Sequence, residues 1–309
     1  MDVIRHIISH PRRFVAPVLT LGNFDGVHLG HQAILARVVA EAERLGGEAV
    51  AMTFAPHPLA VLRPERAPAV LTALRDKIEL LAASGIAVLL LQRFTLAFSQ
   101  LAPEEFVERF VVGRLRAAKL VVGHSVSFGH DRRGNAAMLE ALGARLGFAV
   151  EVIGPVRVDE HEVSSSEIRR AITAGDMALA AKLLGRPHRL GGRVVAGKHR
   201  GAGLGFPTAN MRVTEGLHPP DGVYAVIAET DGGCYAGVAN IGRNPPFGVN
   251  ARSVEAHLFD FEGELYGRRC RLAFIERMRG EMAFPSAEAL VAQIRRDAEQ
   301  ARSLLARRG

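Results

Sequence analysis

Two histidines three residues apart, His28 and His31, follow a glycine-bounded turn in the stretch Leu19-Thr20-Leu21-Gly22-Asn23-Phe24-Asp25-Gly26-Val27-His28-Leu29-Gly30-His31-Gln32. A buried strand that runs through glycines into a helix opening near His28 gathers free backbone N–H groups and two imidazoles at one point, which suits a chain of phosphates. At this spacing both rings lie on one face of the first helical turn. Each can donate a hydrogen bond to a non-bridging phosphate oxygen, and protonation or the helix dipole would strengthen that bond as charge gathers in a transition state. Gly22, Gly26 and Gly30 let the chain turn and let a ligand approach where a side chain would block it. The chemistry suggested is substitution at phosphorus with no protein nucleophile. In a plainer alternative the two histidines cap the helix and meet solvent, but the G-N-F-D-G run directly ahead of them weighs against it. Asp25 has two readings, a turn-forming residue or a magnesium contact.

Two later loops belong to the same crevice by their position after strands. One is Val121 to Asn135, with Ser125 and Phe128 within it. The other is Val163-Ser164-Ser165-Ser166-Glu167-Ile168-Arg169, where serine hydroxyls and free helix N–H groups precede a forked cation, Arg169. Serines before a helix are commonly only caps, so this run gains meaning from the histidine stretch rather than alone.

A second group of chemical residues lies in the other half, at Gly201-Ala202-Gly203-Leu204-Gly205-Phe206-Pro207-Thr208-Ala209-Asn210. Thr208 and Asn210 offer a hydroxyl and an amide oxygen on a turn anchored by Pro207, a donor set for a hard cation and the oxygens of a nucleotide. An ordinary turn is the alternative for P-T-A-N taken alone. The nearby Gly192-x-x-x-x-Gly197-Lys198-His199 is not a phosphate loop of the strand–helix type, because His199 stands where a serine or threonine must reach magnesium.

The elements that position these residues fall into two grammars. Up to Ile153, apolar strands alternate with amphipathic helices. A helix from about Gly30 stops at Gly46-Gly47, strands cover Glu48–Phe54 and Ile86–Leu91, and Thr72 caps a helix to Ser84. Then come a helix from Pro103 to about Val111, a strand at Leu120–Val122, a helix from about Asn135 to Leu146 and a strand at Ala149–Ile153. Continuous apolar strands between helices indicate a doubly wound parallel sheet, with ligands at the carboxyl ends of its strands. After a short helix from Gly175 to Gly185, strands rich in β-branched and aromatic residues and separated by Gly, Pro and Asn turns run from about Gly192 to Met278. They suggest a small antiparallel β-barrel, closed off by a helix from Ser286 to about Ala306. The expected fold class is therefore α/β followed by a β-barrel with a terminal helix. The domain boundary falls at 186/187, giving domains 1–186 and 187–309.

Composition limits the partners. With 309 residues and 48% hydrophobic residues the chain can build real cores. There is no apolar run of signal-peptide or membrane-span length, so a cytoplasmic protein without membrane contact is expected. Cys234 and Cys270 are too few for a disulfide framework. The net charge of +7 invites nucleic acid, but the arginines are scattered and three tyrosines with no tryptophan leave little to stack on bases. Anionic nucleotides are the better match, and no nucleic-acid partner is expected.

G-N-F-D-G-V-H-L-G-H-Q resembles the signature of the nucleotidylyltransferase superfamily, in the long form of the adenylyltransferase half of bacterial bifunctional riboflavin kinase/FAD synthetases. S-S-x-x-I-R at Ser164–Arg169 is similar to a later motif of that half. G-L-G-F-P-T-A-N, Asp221-Gly222-Val223-Tyr224, Asn240-Ile241-Gly242, Val254-Glu255-Ala256-His257-Leu258, Leu265-Tyr266-Gly267 and Arg279-Gly280-Glu281-Met282-Ala283-Phe284 are similar in identity and order to riboflavin kinase. The resemblance implies phosphorylation of riboflavin by ATP to FMN, then attack of the FMN phosphate on the α-phosphorus of ATP to give FAD and pyrophosphate, with Mg²⁺ assisting. It further implies that Gly22, Asn23, Phe24, Asp25, Gly26, His28, His31, Ser164, Ser165 and Arg169 hold ATP in the first half, and that Ser125, Phe128 and Asn135 face the flavin. In the second half it implies ATP and magnesium at Gly203, Gly205, Pro207, Thr208 and Asn210, Glu255 as general base, and Arg279, Glu281 and Phe284 on the flavin side. Taken alone, Glu255 reads equally as an exposed strand residue. The chain departs from the pattern at Ser125, Val126, Asn135, Ala196, Ala202 and Pro246, so the arginine of the kinase phosphate loop is missing. An alternative is a riboflavin kinase whose first half is degenerate or regulatory. A monomer or weak homo-oligomer is expected.

Overall fold

The computed structural model describes residues 1–5, 7, 10–196, 206–243 and 252–307. Close contacts divide the chain into two compact units, Met1–Pro68 with Leu74–Ser164, and Ala69–Ala73 with Ser165–Gly309.

The first unit is a parallel sheet wrapped by helices. Its strands are β1 (Asp2–Ile4), β2 (Val18–Leu21), β3 (Ala49–Ala55), β4 (Val88–Arg93), β5 (Lys119–Gly123) and β6 (Ala149–Ile153). Their order across the sheet is β1-β4-β3-β2-β5-β6, and every pairing is parallel. Between them run α1 (Leu29–Arg44), α2 (Pro58–Leu62), α3 (Leu74–Ala83), α4 (Leu96–Ser99), α5 (Pro103–Phe106, continued as a π-helix over Val107–Leu115) and α6 (Ala136–Leu146). A small hairpin, β7 (Arg157–Val158) with β8 (His161–Glu162), follows the sheet.

Both faces of the sheet are covered, as continuous apolar strands require. Leu19, Leu21, Val50 and Met52 face one core with Phe106, Phe110 and Leu139, whereas Val18, Ala49 and Ala51 face another with Leu35, Val38 and Leu81. The chain leaves β2 towards β3 and β4 on one side and resumes at β5 and β6 on the other. That reversal at β2 opens the crevice in which doubly wound sheets take their ligands, and the histidine stretch leaves from the carboxyl end of the same strand.

The second unit holds α7 (Ser165–Ala174), α8 (Met177–Leu184), the barrel and the terminal helix α9 (Ala287–Ala306). Strands β9 (His188–Val195), β10 (Ala209–Arg212), β11 (Gly222–Thr230), β12 (Gly233–Arg243), β13 (Arg252–Leu258) and β14 (Arg269–Arg279) close in the order β10-β13-β12-β11-β14-β9, all antiparallel. Leu190, Tyr224, Val226, Leu272 and Phe274 are all buried. Val223, Ala225, Val238 and Phe259 form a separate cluster with Ala301 of α9. The segment Ala69–Ala73 belongs to this unit because the Leu217 N–H donates to the Val70 carbonyl (2.8 Å) and Arg169 Nε to the Ala69 carbonyl (2.9 Å).

This is the architecture expected from the sequence, with differences at the edges. β1 was not expected; it is three residues long and pairs only with β4 at the sheet edge, which leaves too short a pattern to read. The helix from Pro103 runs past Val111 to Leu115 because its later part is π-wound, with Phe106 and Phe110 stacked at 5.3 Å. The barrel opens at His188 rather than near Gly192, since the His188 side chain is buried and its strand already pairs with Phe274.

Candidate active sites

At the first site the turn after β2 is forced into an uncommon shape. Phe24, Gly26 and Val27 have φ of 46°, 89° and 40°. Glycine adopts such values freely; a β-branched valine does not, so the turn must be held by what surrounds it. The Gly22 N–H donates to the Met52 carbonyl (3.0 Å), and the Asn23 carbonyl accepts from both Thr53 Oγ1 (3.1 Å) and Lys77 Nζ (3.0 Å). Gln32 Nε2 donates to the Val27 carbonyl (2.8 Å), and the Phe24 and Val27 side chains are buried.

His28 then caps α1. Its backbone is extended, and its Nδ1 accepts the His31 N–H at 3.3 Å. The capping half of the plainer alternative therefore holds, but the solvent half does not, because His28 is 6% exposed. With Nδ1 used as acceptor, the proton of the neutral ring sits on Nε2, which leaves that atom a donor. The two imidazoles stack at 3.6 Å, and Phe24 meets His31 edge-on at 5.2 Å. Burial first, then the charges of His28 and Lys77, push His31 well below the usual imidazole range. Protonation is thus not how His31 would strengthen a phosphate contact; a neutral ring at a helix N-terminus can still donate. The His31 Nδ1 and the Thr20 hydroxyl are buried with no hydrogen-bond partner among the described residues. A Cβ on Gly30 would come within 3.2 Å of the His28 ring and 3.5 Å of the Val163 carbonyl, which brings the start of the serine loop beside the first turn of α1. Asp25 is buried in the turn.

Other predicted residues carry structural duties. Ser164 ends the first unit, whereas Ser165 and Arg169 belong to the second, where Arg169 holds the Ala69 carbonyl. Ser125 is exposed. Phe128 is buried against Phe106 at 5.7 Å and bridged to Gly134 by paired backbone hydrogen bonds. Asn135 caps α6, its Oδ1 accepting from the Met138 N–H at 3.0 Å. Sequence reasoning missed Thr53 and Lys77, which hold the turn, and it missed the aromatic wall of Phe54, Phe94, Phe98, Phe106 and Phe110 that adjoins Phe128. The repeated phenylalanines of Arg93-Phe94-Thr95-Leu96-Ala97-Phe98 were the available signal.

At the second site the register assembles the candidates. Asn210 on β10 stands opposite Glu255 on β13, and Glu255 stands opposite Asn240 on β12. Directly opposed residues share a face, with Cβ atoms about 5 Å apart. Thr208 lies two residues before Asn210, and the Pro207 carbonyl next to it is hydrogen-bonded to His257 Nδ1 (2.9 Å), which ties the P-T-A-N turn to β13. A hydroxyl, two amides and a carboxylate in this row are hard oxygen donors suited to a magnesium ion that also binds nucleotide phosphates. Asn240 stands in the Asn240-Ile241-Gly242 resemblance but was given no role there, because only pairing brings it to Glu255. Gly203 and Gly205, like Ala202 and Pro246, lie outside the described residues.

Arg279 is fastened rather than open. Its Nε lies 3.1 Å from Asp297 Oδ1 and its Nη2 2.7 Å from Asp297 Oδ2, while Gln293 Nε2 donates to the same carboxylate at 2.8 Å. The guanidinium also lies 6.0 Å from the Phe284 ring centre. Glu281 Oε1 occupies the space beside Gly242 that a side chain there would need, and Asn240 Nδ2 borders the same space at 3.4 Å. Thus Glu281 adjoins the row, whereas Arg279 organises the segment that carries it.

Comparison with known proteins finds relatives of both halves of the chain. A family model described as FAD synthetase matches residues 11–167, and one described as riboflavin kinase matches residues 184–305. The bifunctional riboflavin kinase/FMN adenylyltransferase of Haemophilus influenzae is 38% identical over 98% of this chain and 99% of its own length. That of Pseudomonas fluorescens is 41% identical over 94% of this chain and 93% of its own. A crystal structure described as a macrolide-efflux protein from Streptococcus pneumoniae superposes with a TM-score of 0.88 and 30% identity, covering 98% of this chain and 99% of that one. Among the described residues no helix is long and apolar enough to cross a membrane.

Proposed function

The chain belongs to the bifunctional riboflavin kinase/FMN adenylyltransferase family, and from that membership we propose which of its residues carry each reaction. It phosphorylates riboflavin with ATP to FMN and adenylylates FMN with ATP to FAD and pyrophosphate. The presence of a matched FAD synthetase half argues against a kinase with a degenerate first half.

Adenylyl transfer is assigned to residues 1–186, at the cradle of Gly22, Asn23, Phe24, Asp25, Gly26, His28 and His31. The observation that carries this assignment is the stacked His28–His31 pair at the N-terminus of α1, beside the strand where the sheet reverses. Both imidazoles donate to the ATP phosphates, His31 as a neutral ring, and the helix N-terminus adds its partial positive charge as negative charge grows on the α-phosphoryl oxygens. Ser164, Ser165 and Arg169 are assigned to ATP binding from the family motif alone. Ser125, Phe128 and Asn135 are assigned to the flavin side, the last two through the loop shape they fix.

Kinase chemistry is assigned to residues 187–309. Glu255 accepts the proton of the ribityl 5′-hydroxyl as that oxygen attacks the γ-phosphorus, and Thr208 and Asn210 orient the nucleotide. Gly203, Gly205 and Pro207 shape the nucleotide loop, and Arg279, Glu281 and Phe284 form the flavin side. When bound at Thr208 and Asn210, Mg²⁺ would neutralise phosphate charge. The assignment extends to a cytoplasmic enzyme, a monomer or weak homo-oligomer, without nucleic-acid partners.

One experiment separates the two halves. Supplied with riboflavin, ATP and Mg²⁺, the His28→Ala enzyme should accumulate FMN, whereas Glu255→Ala should make neither product from riboflavin yet still convert supplied FMN to FAD. FAD synthesis at the normal rate by His28→Ala would overturn the first assignment, and normal FMN formation by Glu255→Ala the second.

A further inference from the structure

Lys77 is a lysine where packing alone would favour an apolar residue. It sits on α3 with 9% of its surface exposed, and a buried ammonium is expensive unless its hydrogen bonds and charge are used. Its Nζ donates to the Asn23 carbonyl at 3.0 Å, and the same oxygen accepts from the fully buried Thr53 hydroxyl at 3.1 Å. One carbonyl is therefore gripped from β3 and from α3 together, at the residue just before the left-handed Phe24. A further fastening of the turn, from Gln32 to the Val27 carbonyl, comes from α1 itself. Backbone held at positive φ by non-glycine residues persists only where neighbours over-determine it. The turn so held sets the direction in which α1 starts, and with it the placement of His28 and His31.

We propose that Lys77, seconded by Thr53, is a positioning residue for adenylyl transfer: acting through the Asn23 carbonyl, it locks the strained turn that aims the two imidazoles. This inference rests on assigning adenylyl transfer to the His28–His31 cradle.

The kinase reaction of the second unit reports that the chain is otherwise intact, and far-ultraviolet circular dichroism with thermal unfolding reports whether the first unit is folded. Lys77→Met should lower kcat for FAD formation from FMN by roughly 10- to 100-fold with a smaller change in KM for ATP, the expected size for reacting groups displaced by a fraction of an ångström to an ångström. FMN formation should be unchanged, and Lys77→Arg should recover part of the loss. Thr53→Val should lower the same kcat about 3- to 10-fold while Thr53→Ser, which keeps the hydroxyl, stays near normal. Because both residues act through one oxygen, the Lys77→Met/Thr53→Val double variant should fall short of the product of the single effects. Should Lys77→Met not fold, the two Thr53 variants decide. Normal kcat in Lys77→Met, a loss shared equally by the kinase reaction, a change in KM alone, or equal effects of valine and serine at position 53 would overturn the proposal. If His28→Ala also made FAD normally, the failure would lie in the assignment of the cradle rather than in Lys77.

Discussion

The barrel should lose stability in mild acid through one residue, His188. Its ring is 1% exposed on the first barrel strand, 6.2 Å from the Phe274 ring centre, with Nε2 2.8 Å from the Leu217 carbonyl. The neutral ring donates there, so Nε2 carries the proton. Burial chiefly, aided by the charges of Arg186 and His218, lowers its pKa from an ordinary 6.5 to about 4. The folded barrel thus refuses a proton that the unfolded chain accepts. Stability from this residue is fully present above pH 6.5 and is lost as the pH falls from there towards 4. The gap corresponds to roughly 3 kcal/mol in all, of which about 2 kcal/mol falls between pH 7 and pH 5. Urea unfolding can read this directly, because Tyr224, Tyr235 and Tyr266 are the chain's three tyrosines, all lie in the second unit, and there is no tryptophan. The near-ultraviolet tyrosine signal therefore follows the barrel alone. The His188→Gln enzyme, which keeps a donor for Leu217, should be less stable at pH 7 but should lose most of the slope between pH 7 and 5. A smaller slope should persist from His218, which burial also holds below its usual range. Glu41 of the first unit, held at about 2 by Arg44 and Lys119, loses its contribution only below pH 4.5 and so stays out of this window. An equal fall of about 2 kcal/mol in wild type and His188→Gln would refute the reasoning.

Two substitutions test how the sites are supported. A Cβ at Gly134 would land 2.6 Å from Phe128 Cζ and 2.7 Å from both Cε atoms, with Phe128 already packed on Phe106. Gly134→Ala should therefore cost about 1–3 kcal/mol in the first unit and depress FAD formation while FMN formation continues; thermal unfolding and the two activities check it. Asp297→Ala strands Arg279, whose side chain is 19% exposed against 4% for Asp297, and should cost roughly 3 kcal/mol. By releasing the segment that carries Glu281, it should also raise the KM for riboflavin while sparing adenylylation of supplied FMN.

What could be read in advance follows how local each site is in sequence. The first cradle is built within fourteen residues, Leu19 to Gln32, so strand, glycine turn, capping residue and second imidazole stand in chain order, and their spacing alone implies their convergence. What escaped was whatever reaches that turn from elsewhere. Lys77 and Thr53 come from separate elements, and in sequence one is a charged residue of an amphipathic helix and the other a threonine in an apolar strand. The state of His31 escaped for the same reason, because its burial and its charged neighbours are properties of packing.

The second site is made differently. Asn210, Glu255 and Asn240 meet because three separate strands pair at one register, and a slip of a single residue would turn each of them to the other face. No spacing rule contains that information, so Glu255 could be given a role only by resemblance, and Asn240, though part of a resembling motif, was given none. The same contrast governs how each site should fail. A strained local turn depends on the few groups that clamp it, and removing one clamp should displace chemistry while leaving the fold. A register-built row depends on the whole barrel, so destabilising the barrel, as protonation of His188 does, should erode kinase activity together with structure rather than ahead of it.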